Sequence, residues 1–463
     1  MPFMALAAAT LAQAPVERYE LGLRLRDFER SLAACKSPDL RAGALRELDR
    51  AVQAFFRLDQ RGVAQAIGRA SAALHPAPPT ANERFATSLQ LSLETRLVAP
   101  TAAVPWQLSR AFGDESIPSG VHLEIQVVGA ATPPIQVPIT DLPIRGALPL
   151  ANTTPGDGGV EWRIRVDDAA LAPRWHGLSV AEDLTGRLGR LAEAADRCED
   201  IPARTRTLEQ ATLVALVEML KGMTRRRPEE TTLPGARLLD EAEALAKSLA
   251  ANAPHYTARS TGQHWLRVPL ASGTSALRFA APTVPTGERR PIVVALHGAG
   301  GSENLFFDGY GDGLVARLAA DRGWFVAAPR LGGLFNVDVP GLVAALATRW
   351  PIDQERVFLV GHSMGAAQAV AIGSRQPARF RAVAALGGGG AVARRQELAT
   401  LPFFVGVGER DFARSGALQL HRQLGAASAP STLREYPDVE HLAIVQLALP
   451  DVFTFFDAAL ARR

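Results

Sequence analysis

Gly361-His362-Ser363-Met364-Gly365 follows the apolar run Val357–Val360 directly and precedes a helical pattern. A serine hydroxyl attacks a carbonyl carbon only when it is held in place and something takes its proton. A strand-to-helix turn sharp enough to expose that hydroxyl strains the serine backbone and admits only small neighbours. Gly361 and Gly365 are small enough, and Ala366-Ala367 continue the close packing.

Only His421 and His441 lie downstream of Ser363 to serve as the proton acceptor. His421 falls within the helical segment Ala417–Leu424, which makes it a surface residue. His441 ends the loop Tyr436-Pro-Asp-Val-Glu-His441, just ahead of a terminal apolar helix. An imidazole that works as a base needs an acid to fix its tautomer and stabilise its charged form. The strand pattern Leu401–Gly408 runs into Glu409-Arg410-Asp411, and Asp411 is the acid assigned here. Glu409 is its nearest rival, and Asp438, inside the histidine loop, a more distant one. A second glycine-rich loop, His297-Gly298-Ala299-Gly300-Gly301, ends the buried run Pro291–Leu296. Glycines let such a loop bring backbone N–H donors close to a developing oxyanion.

The serine turn, this loop, and the order serine, acid, histidine together resemble the α/β-hydrolase family. The resemblance implies Met364 and Ala299 as oxyanion donors, through their backbone N–H groups. It implies chemistry without metal or cofactor. Ligands of open parallel sheets bind beyond the carboxyl ends of the strands. The candidate substrate-binding residues are therefore His297, Gly298, Phe306, Arg330 and His362, with Phe307, Tyr310 and the loop 330–335 near them. Packing roles for the aromatic residues, an ion pair for Arg330 and a spectator role for His362 are the alternatives. The space between Leu386 and Leu401 holds only Gly387–Gly390 and a short polar helix, too little for an inserted cap. The domain is thus similar to compact esterases of the feruloyl esterase, polyhydroxyalkanoate depolymerase and carboxylesterase types, with a small or polymeric ester as substrate. Peptidases of the prolyl-oligopeptidase type share the catalytic order but carry a β-propeller, for which the strands upstream are too few. An inactive hydrolase-fold binding protein and an acyl transferase are further alternatives.

Strands and helices alternate after residue 255, which calls for a mostly parallel sheet covered on both faces. The fold class expected is therefore α/β, an α/β-hydrolase domain over 255–463 behind a mixed N-terminal region. In that region 16–80 is helical with a turn at Ser37-Pro38-Asp39, which suggests a hairpin. Period-two alternation, as in Val121, Leu123, Ile125 and Val127, marks a small antiparallel, sandwich-like β module over 81–178. Helical spacing returns over 179–254, where the stripe Leu213, Leu216, Leu220 and Met223 is expected to pack on the β module.

A chain of 463 residues, 47% hydrophobic and 21% charged, is composed like a folded globular protein. Its net charge of +3 gives no reason to expect nucleic acid as a partner. No run of apolar residues in the sequence suggests an integral membrane segment. Residues 1–15, with Ala12-Gln13-Ala14, read either as the remnant of a signal peptide, hence export, or as an Ala-rich terminus. The two cysteines, Cys35 and Cys198, either form a bridge or remain buried thiols.

Overall fold

The computed structural model describes residues 15–461, apart from 131, 151–152, 168, 226–229, 272, 333–336 and 394. The possible leader, except for its last residue, and most of the 330–335 loop beyond Gly332 lie outside the described residues.

Four helices open the chain: α1 (Arg18–Ala34), α2 (Pro38–Phe56), α3 (Gln60–Ala72) and α4 (Ala81–Ser88). Ser37 caps α2, its side chain accepting from the Leu40 N–H, with Pro38 in the first turn. The expected hairpin is in fact three helices before the Pro-rich stretch. The break between α2 and α3 is at Leu58, whose φ is 59°, followed by Asp59, which caps α3. Neither glycine nor proline marks that corner, so the periodicity runs through it.

Eight strands form a two-sheet sandwich: β1 (Leu89–Leu93), β2 (Leu97–Val98), β3 (Ala103–Arg110), β4 (His122–Val127), β5 (Ile135–Pro138), β6 (Ile144–Pro149), β7 (Gly156–Val166) and β8 (Ala169–Val180). The sheet orders are β1-β3-β6 and β2-β8-β7-β4-β5. Alternate residues such as Leu91, Trp106, Leu123, Ile125, Trp162 and Ile164 fill the space between them. Only β2 and β8 pair in parallel. This is a sandwich, and no propeller is present among the described residues.

Three helices follow, α5 (Leu184–Glu199), α6 (Leu208–Met223) and α7 (Gly235–Ala250). The rest alternates strand and helix: β9 (Gly262–Leu270), β10 (Gly273–Ala281), β11 (Arg290–Leu296), α8 (Leu305–Asp308), α9 (Tyr310–Ala320), β12 (Phe325–Pro329), α10 (Val339–Ala347) and β13 (Ile352–His362). It ends with α11 (Met364–Arg375), β14 (Ala382–Leu386), β15 (Phe403–Gly408), α12 (Arg414–Ala426), β16 (Ser431–Tyr436) and α13 (Ile444–Ala461). These strands make one sheet in the order β16-β15-β14-β13-β11-β12-β10-β9. Strand β10 runs against both of its neighbours, and the other pairings are parallel. Strand β16 is not evident in the sequence because it is an edge strand with polar residues facing solvent.

Both faces of this sheet are finished by the N-terminal half. Val293, Ala295, Phe358 and Val360 share a core with α13 and with Phe28, Leu45, Leu48 and Ile67 of α1–α3. On the opposite face Ile292, Val294, Leu296 and Leu359 share a core with Leu213, Leu216, Leu220 and Met223. The α6 stripe therefore packs mainly on the eight-stranded sheet, where the Arg267 N–H of β9 donates to Thr212 Oγ1 at 3.1 Å, and meets the β module only at its end, through Leu97 and the Arg96 N–H bond to the Met223 carbonyl. Cys35 packs against the first core and Cys198 lies in the second. The sheet separates them, both are free thiols, and no bridge forms. Helix α13 is the one described helix long and apolar enough to cross a membrane. Its apolar side, including Val445, Leu449, Val452, Phe453 and Phe456, is buried in the first core.

A buried ion cluster ties α1 to the sandwich. Glu20 Oε1 accepts from Arg24 Nε at 2.6 Å and from Arg174 at 2.7 Å. Both arginines also donate to the carbonyls of Thr87 and Leu89. Burial alone would raise the Glu20 pKa, but the two guanidinium groups outweigh it and hold the carboxyl below its usual range. Removing the carboxylate would strand two buried cations. Glu20→Gln is expected to lower the unfolding free energy by about 3–5 kcal/mol. Urea unfolding followed by circular dichroism measures it.

Candidate active site

Ser363 sits between β13 and α11 with φ 54° and ψ −115°, a conformation that ordinary residues rarely adopt. Its backbone N–H donates to the Leu386 carbonyl at 2.9 Å. The turn has no spare room. A Cβ on Gly361 would lie 2.1 Å from the Gly365 carbonyl oxygen, and one on Gly365 would lie 2.0 Å from that of Leu296.

Strand β15 and the loop after β16 carry the partners. His441 Nε2 lies 2.9 Å from Ser363 Oγ, and His441 Nδ1 lies 2.8 Å from Asp411 Oδ1. A carboxylate only accepts, so Nδ1 carries the proton and Nε2 is free to take one from the hydroxyl. Asp411 and His441 are buried and Ser363 is partly exposed. Asp411 Oδ1 also accepts from the Ala413 N–H at 2.8 Å, which fixes the carboxylate. The rivals stand apart from this chain of bonds. Glu409 and Asp438 are exposed, and His421 pairs with Ser431 at 3.0 Å.

The Met364 N–H is at the first position of α11, where no intrahelical acceptor exists, and Ala299 is exposed on the loop after β11. Gly298 lies against the serine, since a Cβ there would be 3.4 Å from that of Ser363.

Four of the side chains expected to touch substrate have partners within the protein. His297 is buried, its Nε2 accepting from the Leu331 N–H at 2.9 Å and its Nδ1 donating to the Gly298 carbonyl at 2.8 Å. It fastens the loop after β11 to the loop after β12. Phe306 is fully buried, edge-on to Tyr310 with ring centroids 4.8 Å apart. Arg330 forms a forked ion pair with the buried Glu303 at 2.5 and 3.1 Å. His362 lies beside His441, where its Nε2 donates to the His441 carbonyl at 2.8 Å.

That last bond belongs to a relay that sequence reasoning missed. With Nε2 a donor, His362 Nδ1 must accept, and Tyr310 Oη donates to it at 2.6 Å. Burial, reinforced by His441, lowers the His362 pKa to about 3, so its ring stays neutral. Tyr310 opens a left-handed turn with Gly311, Asp312 and Gly313, whose φ values are 52°, 82°, 57° and 73°. Buried Glu29 of α1 stabilises that turn, accepting from the Gly311 and Asp312 N–H groups at 3.0 and 3.4 Å. Arg30 grips the Asp312 carboxylate from the same helix. Beside His441, the buried Glu440 accepts from the Leu442 and Ala443 N–H groups at 2.7 and 2.5 Å. Burial, with the neighbouring Asp411, raises its pKa to about 8.

Two measurements follow from the relay. Tyr310→Phe leaves His362 Nδ1 buried without a donor and is expected to cost about 1–3 kcal/mol in urea unfolding. Burial also raises the Glu29 pKa to about 7, against the partial relief of the backbone donors. Between pH 4.5 and 7 the native state therefore keeps a proton that the unfolded chain has released, and stability falls as pH rises through that window. Glu29→Gln is expected to flatten this slope, as read from unfolding curves taken across the window.

No family model and no curated protein matches the sequence. Similar solved structures include a fluorophosphonate-binding serine hydrolase of Staphylococcus aureus, at 14% identity over 42% of this chain and 98% of that one, TM-score 0.36. A feruloyl esterase module from Clostridium thermocellum aligns at 13% identity over 46% and 94%, TM-score 0.38. A dienelactone hydrolase structure from Klebsiella pneumoniae subsp. pneumoniae aligns at 17% identity over 44% and 98%, TM-score 0.35. The fold is read from the sheet itself. With its eight strands in this order, β10 reversed and the serine turn directly after β13, the chain from Gly262 onward has the α/β-hydrolase fold.

Proposed function

We propose that the protein is a serine hydrolase that cleaves carboxylic esters through an acyl-enzyme on Ser363. The observation that carries this reading is the unbroken chain from Asp411 Oδ1 through both His441 nitrogens to Ser363 Oγ, ending on a strained turn. The substrate carbonyl oxygen points at the N–H groups of Met364 and Ala299. Ser363 Oγ attacks the carbonyl carbon while its proton passes to His441 Nε2. Asp411 stabilises the imidazolium, and the two N–H groups stabilise the tetrahedral oxyanion. As the bond to the alcohol oxygen breaks, Nε2 returns the proton to the leaving alkoxide. Water then repeats the sequence on the acyl-enzyme, releasing the acid and the free serine.

His362 and Tyr310 are positioning residues in this scheme, holding the main chain of His441 while its ring changes charge. Ring and backbone are thereby fixed from opposite sides, by Asp411 and by His362.

A fluorophosphonate is expected to label Ser363, mapped by peptide mass spectrometry. Ser363→Ala should lower kcat on p-nitrophenyl acetate by at least about 1,000-fold with an unchanged circular dichroism spectrum. Asp411→Asn should cost about 1,000- to 10,000-fold through the wrong tautomer. Retained turnover in the alanine variant overturns the mechanism, and cleavage of peptide anilides in place of esters overturns the substrate class.

A further inference from the structure

Six large apolar side chains are exposed among the described residues. Two, Val128 and Trp175, belong to the sandwich region. The other four are Phe55, Phe56, Leu58 and Phe412, exposed by 40%, 54%, 88% and 60%. Phe55 and Phe56 end α2, Leu58 is at the corner before α3, and Phe412 follows Asp411 directly.

The three rings form a row. Phe55 and Phe56 meet edge to face with centroids 5.6 Å apart, and Phe56 meets Phe412 in the same way at 5.5 Å. Each end of the row touches the reactive centre. Phe412 lies on the His441 ring with centroids 4.2 Å apart. Phe55 lies on Gly300, where a Cβ would come within 2.3 Å of its Cζ. Gly300 follows Ala299 in the loop that offers the oxyanion N–H. The Arg18 guanidinium donates to the Gly300 carbonyl, so the N-terminal helices hold this loop by a polar contact as well.

Exposed apolar rings gain nothing from water, and a contiguous patch of them marks a binding surface. The place of this row names its occupant. A carbonyl seated between Ala299, Met364 and Ser363 has two substituents, and the row walls one side of that seat from the oxyanion loop to the base. Its three side chains present no polar atom. We propose that the α2–α3 corner and Phe412 together form the subsite for an apolar alkyl or aryl substituent of the ester. The N-terminal helices thereby complete the substrate site of the hydrolase domain. This inference rests on the esterase reading above and adds the substrate class to it.

Burying one methylene changes transfer free energy enough for up to about a fourfold effect per carbon. In the full-length protein, kcat/KM on p-nitrophenyl esters is expected to rise about two- to fourfold per added methylene from acetate to hexanoate. Phe56→Ala and Phe412→Ala, both at exposed positions, are each expected to remove most of that slope. A second measurement needs no turnover. Ser363→Ala protein should bind 2-naphthyl hexanoate, followed by naphthyl fluorescence, and adding Phe56→Ala should weaken that binding at least fivefold. A slope and an affinity that survive both phenylalanine changes overturn the proposal. A row that instead drives self-association, seen as a dimer by sedimentation that Phe56→Ala dissolves with the chain-length slope intact, overturns it too. Failure of the esterase reading looks different, because the wild-type protein then turns over no ester and takes no fluorophosphonate label.

Discussion

The backbone of Ser363 is the constraint around which the C-terminal half is arranged. Its φ of 54° costs on the order of 1–3 kcal/mol and persists only because its surroundings leave no alternative. Gly361 and Gly365 close the turn on itself, and the Leu386 carbonyl holds the serine amide. Gly365 also packs against the carbonyls of Leu296 and His297, at the end of β11. The same contact that permits the strained serine therefore sets how far the loop after β11, which carries the proposed oxyanion donor Ala299, stands from it. One glycine fixes two parts of the proposed machinery.

Around that turn, each side chain is held from behind by residues that touch no substrate in the proposed scheme. His441 is clamped by Asp411 at the ring and by His362 at the main chain. His362 is held by Tyr310, and Tyr310 by a left-handed turn fastened to Glu29 and Arg30 of α1. On the other side Glu230, in the segment between α6 and α7, accepts from Ser302 beside the glycine-rich loop after β11. The N-terminal region is thus part of the support of the site. It supplies the face of one core, the stripe of the other and the clasp of the Tyr310 turn.

Legibility in the sequence follows from how local each determinant is. Ser363, His441 and Asp411 could be read because a Gly-x-Ser-x-Gly turn, a strand end and a pre-helix loop announce themselves within a few residues. The directions of the candidate substrate-binding side chains are a different matter. His297, Phe306, Arg330 and His362 do lie near the site, but their direction is decided by Leu331, Tyr310, Glu303 and the His441 carbonyl, none of which periodicity can supply. The α6 stripe was visible as a stripe, while its partner was ambiguous between two apolar surfaces. Glu29 had no sequence signal, since its partners Gly311 and Asp312 lie 282 and 283 residues away.

Those separations bear on how the chain is made. Glu29 leaves the ribosome long before Gly311 exists, and its carbonyl waits for Gln446, a further stretch that brings the separation to 417 residues. At roughly 5–20 residues per second, that interval is on the order of 20–80 s. For much of it the apolar sides of α1, α2 and α3 have no sheet to cover, because Val293 and Phe358 of that sheet are made more than 200 residues after α3. Helices α1–α3 are thus made well before the sheet they cover, and their apolar sides lack that partner in the meantime. Apolar surface waiting for a distant partner is prone to aggregation, which is a cost of supporting one site with segments so far apart in sequence.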